Sequence, residues 1–234
     1  MLFAKNPEGV SEVINDVNSE LTNFWDVVQT ENLYIDFKRQ VDNIPFSENE
    51  WCWSLSPTGS PNSYRGKLER ALKFFVRYRQ SRQGLGENFA TLSRTRVRRG
   101  MNEQVSSWLS AIDSLPEAHA RLRRVVILNR DAIDVILQQD GKDTLFYLDP
   151  CYLPETRTAK DMYGEFEMTA EQHAQLLEVL STIKGKFLLS GYPSKMYHRA
   201  AKQHGWSKTT WRIDNKASAA DKKEIKSETV WQNF

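Results

Sequence analysis

The chain has 234 residues, of which 40% are hydrophobic and 26% are charged, and it contains seven tryptophans. Large aromatic side chains at this frequency argue against a disordered chain. No apolar stretch approaches the roughly 18 residues of a transmembrane helix, and the N-terminus lacks the pattern of a signal peptide. The two cysteines, Cys52 and Cys151, form no disulfide framework, and neither they nor the four histidines have the spacing of metal ligands. We therefore expect a folded cytoplasmic protein with no metal and no membrane partner.

Positive charge is concentrated in one segment of the chain. Residues 61–100 contain eleven Lys or Arg and two acidic residues, a net charge of +9, whereas the formal net charge of the whole chain is only +2. A concentrated basic segment in a nearly neutral chain is typical of a phosphate-binding surface and favours nucleic acid as a partner. The alternative is a solvated, arginine-rich helix face.

The first 43 residues have the pattern of an α/β domain. SEVIND (11–16) predicts a short strand that ends in an acidic residue. Apolar residues recur at helical spacing over 17–29, which predicts a helix with Asn18 or Ser19 as its N-cap. Residues 30–43 predict a second helix.

A polar region follows. Residues 44–66 are rich in Pro, Ser, Asn and Gly and predict a loop. The predictions beyond it are a helix over 66–81, an irregular or hairpin-like segment over 82–101, and a helix over 102–122 that is interrupted near Pro116. Residues 44–122 are therefore predicted to form a subdomain inserted into the α/β domain.

The α/β pattern returns at residue 123. The predicted strands are 123–131, 144–149, 186–191, 208–214 and 227–234. The predicted helices are 132–140, 169–185 with Thr169 as its cap and Gly185 as its end, and 194–205. The nearly continuous apolar run TLFYLD (144–149) is typical of a buried parallel strand, and the alternation of strands and helices predicts a parallel sheet.

The tetrapeptide Asp149-Pro150-Cys151-Tyr152 directly follows that apolar run. Ligands of open α/β sheets bind beyond the carboxyl ends of the strands, so we expect these residues to face a site. An ionised Asp149 and the Pro150 carbonyl accept hydrogen bonds, and Tyr152 offers a flat face on which a base can stack. Together they match an amino group on a flat heterocycle. The alternative is a strand-end turn in which Asp149 caps the next element.

Several segments resemble the Dam-like adenine-specific DNA methyltransferases, whose signature is Asp-Pro-Pro-Tyr. EVINDVNSELTNFW resembles the second family motif, VVILNRDAIDVI the third and LFYLDPCYLPETR the fourth; HAQLLEVLSTIKGKFLLSGY and SETVWQNF resemble the following helix and strand and the final strand. The resemblance covers nearly the whole chain. It implies an α/β fold with a Rossmann-like, S-adenosylmethionine-dependent methyltransferase sheet formed by 1–43 and 123–234. Residues 44–122 would be a mainly helical target-recognition subdomain.

The resemblance also implies an activity and a set of catalytic residues. A methyl group would pass from S-adenosylmethionine to the exocyclic amino group of adenine in double-stranded DNA, in the setting of restriction–modification. Asp149 and the Pro150 carbonyl would hold the amino group. Tyr152 would stack on the adenine, which must be flipped out of the duplex because its amino group is otherwise paired.

Further residues acquire expected roles from the same resemblance. Asp16 would bind the ribose hydroxyls of the cofactor, Asp131 would contact its adenine, and Asp149 would border it. Capping of the following helix is the alternative for Asp16 and Asp131. Arginines of the basic segment would bind DNA phosphates or read guanine edges; the expected DNA-binding residues are Arg77, Arg79, Arg94, Arg96, Arg98 and Arg99.

The sequence departs from the family at its cofactor loop. It has no Phe-x-Gly-x-Gly segment, and its single Gly-x-Gly, Gly84-Leu85-Gly86, lies in the basic segment. We therefore expect an N-terminally truncated sheet that lacks the first strand and binds S-adenosylmethionine poorly. An upstream start, a decayed gene, or a second chain that supplies the missing segment would each account for it. The competing functional hypothesis is a catalytically inert DNA-binding remnant.

The signature itself differs at one position, where Cys151 replaces a proline. Proline would stiffen the residue before it, so we expect cysteine to reduce preorganisation without abolishing the chemistry. A nucleophilic Cys151 is the alternative, and it requires surroundings that stabilise a thiolate.

Overall fold

The protein is described by a computed structural model that covers residues 2–60, 62–90, 95–157, 163–214 and 225–234. The chain divides into two compact units, Met1–Asn129 and Arg130–Phe234, and each has its own hydrophobic core. In the described residues, no helix combines the length and the apolar character needed to cross a bilayer.

Unit Met1–Asn129 is mainly helical. Its helices are α1 (Ser19–Gln29), α2 (Glu31–Val41), α3 (Glu48–Ser54), α4 (Tyr64–Arg79), α5 (Glu103–Asp113) and α6 (Leu115–Leu122). Strands β1 (Glu12–Asn15) and β4 (Val125–Leu128) pair in parallel, and β2 (Val97–Arg98) pairs with β3 (Met101–Asn102) as an antiparallel hairpin. The predicted first strand and first two helices are confirmed.

Aromatic side chains form the centre of this unit's core. Phe37 meets Phe75 edge-on, with ring centroids 5.8 Å apart, and Phe24 stacks on Phe75 at 5.9 Å. Trp108 of α5 packs against Phe75 at 5.3 Å, and its Nε1 donates to the Ile44 carbonyl at 3.2 Å. These contacts bind α1, α2, α4 and α5 to one another.

The loop predicted over 44–66 is wrong in part, because α3 and the start of α4 lie within it. Ser47 caps α3 by accepting a hydrogen bond from the Glu50 amide. The fully buried Gln80 donates to the Pro45 carbonyl and accepts from the Ser47 amide, at 2.9 and 3.1 Å. A side chain distant in sequence therefore holds a segment whose composition alone is typical of a loop.

The hairpin-like character predicted for 82–101 is confirmed at β2 and β3. Arg99 and Gly100 form the two-residue turn, with φ values of 56° and 74°. Left-handed backbone at both turn positions matches the twist of an antiparallel hairpin. The turn consequently presents Arg98 and Arg99 at the tip of an exposed ribbon.

Unit Arg130–Phe234 contains a four-stranded sheet with order β5-β6-β8-β7. Its strands are β5 (Leu145–Leu148), β6 (Lys186–Gly191), β7 (Ser207–Asp214) and β8 (Ile225–Gln232). Its helices are α7 (Ala132–Gln139), α8 (Ala170–Thr182) and α9 (Lys195–His204). The predicted strands and helices of this half are confirmed, with shifts at their ends.

Parallel pairing was predicted for the sheet, and it holds only for some strand pairs. β5 is parallel to β6, with Leu148 opposite Leu189. β8 is antiparallel to both β6 and β7. Only residues 215–224 connect β7 to β8, fewer than the dozen or so that a parallel crossover needs.

The burial predicted for the run TLFYLD is wrong. Leu145 and Tyr147 of β5 are about half exposed, whereas Phe146 and Leu148 on the other face pack against the core. The reason is that the core cluster of this unit packs on the face of the sheet that carries Phe146 and Leu148, and not on the opposite face. An apolar run therefore indicated a strand but did not show how many of its faces are covered.

Helix ends in this unit follow local chemistry. Thr169 caps α8 in a capping box, and Gly205 ends α9 with a left-handed φ of 70°, both as predicted. Gly185 does not end α8, which stops at Thr182. A Cβ at Gly185 would lie 3.0 Å from the Thr144 carbonyl oxygen, so glycine serves a close backbone approach there.

His173 of α8 points into the core of this unit. It is fully buried, and its Nδ1 lies 2.9 Å from the Tyr197 hydroxyl in a hydrogen bond between α8 and α9. Burial lowers the pKa of His173, and the Arg157 charge lowers it further. The folded protein therefore favours a neutral imidazole.

The pH dependence of stability follows from this shift. Because the pKa of His173 is lower in the folded chain than in the unfolded chain, unfolding takes up a proton below about pH 6.5. We expect the free energy of unfolding to fall on acidification from pH 7 to pH 5, by at most about 1.4 kcal/mol per pH unit for this group. His173→Asn should flatten that dependence in urea titrations at several pH values. His204→Asn, an exposed change on α9, is the control, and an unchanged slope in His173→Asn would contradict the assignment.

Candidate active site

Asp149 is oriented by a neighbouring strand. It directly follows β5, and Ser190, near the end of β6, donates from its Oγ to Asp149 Oδ1 at 2.7 Å. The same hydroxyl lies 3.2 Å from the Leu148 carbonyl oxygen. Ser190 is buried whereas Asp149 is exposed. A buried hydroxyl thus fixes a carboxylate that remains accessible to a substrate.

Tyr152 is held by two further side chains. Its hydroxyl donates to Glu228 Oε1 at 2.9 Å, and its ring meets Tyr192 edge-on, with centroids 4.6 Å apart. Burial raises the pKa of Tyr152 strongly, and the negative charges of Asp149 and Glu228 raise it further. The phenol is therefore a neutral donor, and Asp149 and Tyr152 belong to one cluster.

Cys151 and Arg157 each contact residues of 163–167. The Cys151 thiol donates to the Phe166 carbonyl at 3.2 Å. Arg157 is buried and forms a two-pronged ion pair with Glu167, with its guanidinium 5.0 Å from the ring centroid of Tyr163. A carbonyl oxygen can only accept, so Cys151 makes its contact with Phe166 as a thiol and not as a thiolate. This favours a structural role for Cys151 over a nucleophilic one.

The residues predicted to bind the cofactor occur in both units. Asp16 follows β1 in Met1–Asn129, is half-buried, and accepts from the Asn18 amide through Oδ1 at 2.8 Å. Asn18, not Asp16, caps α1. Asp131 is exposed and caps α7 by accepting from the Ile133 amide at 2.8 Å. Helix capping is thus seen for Asp131, and contact with a cofactor stays a prediction for both carboxylates.

The predicted DNA-binding arginines lie at two places in Met1–Asn129. Arg77 and Arg79 are exposed at the end of α4, where Arg77 Nε donates to the Gly86 carbonyl at 3.0 Å. The hairpin region carries the exposed Arg96, Arg98 and Arg99. Arg96 pairs with Glu103 at 3.5 Å, and Arg99 pairs with Asp113 at 3.8 Å. Arg94 lies outside the described residues. DNA contact by this set stays a prediction.

Other cations of the basic segment have internal partners. Lys67 pairs with Asp26 at 2.8 Å and Arg70 with Glu20 at 2.8 Å, which joins α4 to α1. Lys73 is buried, pairs with Glu69 and donates to two backbone carbonyls. Lys67, Arg70 and Lys73 therefore use their positive charge within the fold, whereas the arginines at the end of α4 and on the hairpin are exposed.

Comparison with known families assigns this chain. The model of the D12 class N6 adenine-specific DNA methyltransferases matches residues 1–215. The chain belongs to this family. Enzymes of the family methylate adenine in DNA. This is the activity that the resemblance of the tetrapeptide and its neighbouring segments implied. No curated protein matches the methyltransferase in a sequence search.

Two residues of the candidate site were missed by sequence reasoning. Neither the Ser190 hydroxyl nor Glu228 was singled out. They lie 41 and 76 positions from the residues they contact. The one signal available for Glu228 is an isolated acid in a segment that otherwise predicts a strand.

Removal of the Ser190 hydroxyl tests its role in this methyltransferase. Ser190→Ala leaves Asp149 without its buried donor, so the carboxylate loses a preferred orientation. We expect kcat for methyl transfer to unmethylated DNA to fall about tenfold, which corresponds to ~1.4 kcal/mol of activation free energy. Ser207→Ala, an exposed change in the same unit, should leave kcat unchanged. Equal activities of the two variants would show that Ser190 does not orient Asp149.

Proposed function

We propose that this chain transfers a methyl group from S-adenosylmethionine to the exocyclic amino group of adenine in double-stranded DNA, with Asp149, Pro150 and Tyr152 as its catalytic residues. The observation that carries the proposal is the cluster at the end of β5, where Asp149 is exposed and oriented and Tyr152 is anchored beside it. The cluster combines an acceptor with an aromatic ring, and these are the groups that an aminated base requires.

Asp149 and the Pro150 carbonyl act on the amino nitrogen. Both accept a hydrogen bond from the amino group, so its two N–H bonds point toward them and its lone pair points away. Hydrogen bonds to an ionised acceptor are the stronger kind, which places the greater share of this orientation on Asp149. The proton that the nitrogen loses when it gains a methyl group can pass to the same carboxylate.

Tyr152 supports the base itself. An adenine that has left the duplex loses its stacking partners and its pairing partner, at a cost of a few kcal/mol. Stacking on an aromatic ring recovers about 1–3 kcal/mol of this per base. The neutral phenol donates its own proton to Glu228, and its oxygen is a weaker acceptor for the amino protons than the carboxylate of Asp149.

The carboxylates present fit part of the cofactor. S-adenosylmethionine, when bound, supplies a methyl group on a positively charged sulfur. Asp16, at the carboxyl end of a parallel strand and with Oδ1 engaged by the Asn18 amide, still has acceptor capacity for ribose hydroxyls. Asp131 is exposed at the start of α7 and offers an acceptor to the cofactor adenine. The sequence has no Phe-x-Gly-x-Gly segment for the methionine end.

The proposal includes a Rossmann-like catalytic domain, 1–43 and 123–234, and a target-recognition subdomain at 44–122. Strands β1 and β4 support it, since they are adjacent and parallel although α1 to α6 lie between them in the chain. A crossover between adjacent parallel strands needs only one helix. The additional helices and the hairpin therefore have the character of an insertion.

Substitution of Asp149 tests the proposed chemistry. Asp149→Ala removes the principal acceptor for the amino group, so we expect methyl transfer to fall at least about 100-fold, or ~2.7 kcal/mol. The measurement is N6-methyladenine in nuclease digests of unmethylated DNA incubated with enzyme and S-adenosylmethionine. Asp143→Ala, an exposed change before β5, should retain activity. If the unaltered chain makes no methyladenine yet binds DNA in a salt-dependent way, the inert DNA-binding alternative holds.

The hairpin is tested by its effect on DNA affinity. Arg98 is exposed and adjoins the turn, so Arg98→Ala should weaken binding to duplex DNA. If Arg98 contacts a phosphate, the slope of log K against log salt should become shallower by about 0.9. Arg39→Ala on α2, which removes a cation already paired with Asp36, is the control. Equal salt slopes for Arg98→Ala and the unaltered chain would exclude a phosphate contact by Arg98.

A further inference from the structure

We propose that Glu228 is a positioning residue that sets the ring plane of Tyr152 for stacking on the target base. The inference rests on the proposed function of Tyr152 and adds to it a residue from a different strand. It starts from one contact, the hydrogen bond of 2.9 Å from the Tyr152 hydroxyl to Glu228 Oε1.

The strand pairing explains why Glu228 reaches Tyr152. β5 and β6 are parallel, so their carboxyl ends, with Asp149 and Ser190, lie at one end of the sheet. β8 is antiparallel to β6, with Thr229 opposite Gly191, so the beginning of β8 lies at that same end. Glu228 precedes Thr229 and therefore adjoins the residues that follow β6.

The direction of the Glu228 side chain is set by its neighbours in β8. Trp231 and Thr229 are fully buried, and Trp231 packs against Tyr197 of α9. Alternate residues of a strand face opposite sides of the sheet, so Glu228 lies on the face away from Trp231. The packed tryptophan thereby fixes the strand and directs the carboxylate to Tyr152.

Two contacts at different points of the phenol ring define its plane. Glu228 holds the hydroxyl end, and Tyr192 packs edge-on against the ring with an interplanar angle of 68°. One contact would leave rotation about the long axis of the ring free, whereas the second opposes that rotation. A ring held in this way is already ordered, so it loses little further conformational entropy when a base stacks on it.

The role predicts a particular pattern of kinetic effects. Glu228→Ala should lower kcat about tenfold with little change in KM for DNA or S-adenosylmethionine, because the ring loses its orientation and the ground-state contacts remain. Glu228→Gln keeps an acceptor oxygen and should restore most of kcat. Glu178→Ala, an exposed change on α8, should have no effect.

A double-mutant cycle tests whether Glu228 acts through the Tyr152 hydroxyl. Tyr152→Phe should lower kcat by about as much as Glu228→Ala, and the double variant should be no worse than either single one. Equal melting temperatures of all four proteins verify that they are folded. Losses that multiply in the double variant, or a Glu228→Gln variant as impaired as Glu228→Ala, would overturn the positioning role.

A measurement without catalysis separates this inference from the proposed function. In the full chain labelled with ¹³C in its tyrosine rings, Tyr152→Phe identifies the Tyr152 signals. We expect Glu228→Ala to shift these signals and Glu228→Gln to shift them less. If no methyladenine forms while the signals depend on Glu228 in this way, the proposed function is contradicted and the positioning of Tyr152 by Glu228 is supported. Tyr152 signals that do not shift in Glu228→Ala would contradict the positioning role, whatever the activity of the variant.

Discussion

The arrangement of the candidate site depends on the hydrogen bond between Ser190 and Asp149, which orients the carboxylate. It forms because β5 and β6 run in the same direction and end together, so a residue just past one strand lies beside a residue near the end of the other. The carboxylate would otherwise rotate freely in solvent, since Asp149 is exposed. A charge-assisted bond of this kind contributes about 1.5–3 kcal/mol, enough to favour one orientation over its competitors.

The rest of the cluster extends this arrangement across the sheet. Two side chains of the tetrapeptide each bond to a different strand: Asp149 to β6 and Tyr152 to β8. The antiparallel β8 is essential here, because its first residues, and not its last, lie at the carboxyl ends of β5 and β6. The chemistry of a contiguous segment thus depends on residues that the chain supplies later.

This dependence explains which parts of the site could be predicted from the sequence. Asp149, Pro150 and Tyr152 are adjacent, follow an apolar run and form a recognisable motif. Ser190 and Glu228 acquire their roles only through strand order, which propensity and periodicity do not contain. The same limit applies to His173, which is buried and forms a hydrogen bond with Tyr197 on another helix.

The fold shows a similar division. Helices with a cap and an apolar period were predicted well, as in α1, where Asn18 accepts from two amides. The loop predicted over 44–66 was wrong in part because Gln80 holds that segment through tertiary hydrogen bonds. The half-exposed face of β5 was missed because an apolar strand covered on one face can have the same sequence pattern as one covered on both.

Arg99 in the turn of the hairpin combines a strained backbone conformation with a charged side chain. Arg99 adopts a left-handed φ of 56°, where a non-glycine residue costs roughly 1 kcal/mol or more, and its guanidinium donates to Ser110 Oγ on α5 at 3.0 Å. Glycine or asparagine would relax the backbone at this position, yet either would remove a cation and a tether to α5. Selection for a sturdier ribbon and selection for a more strongly cationic one therefore act against each other at a single codon.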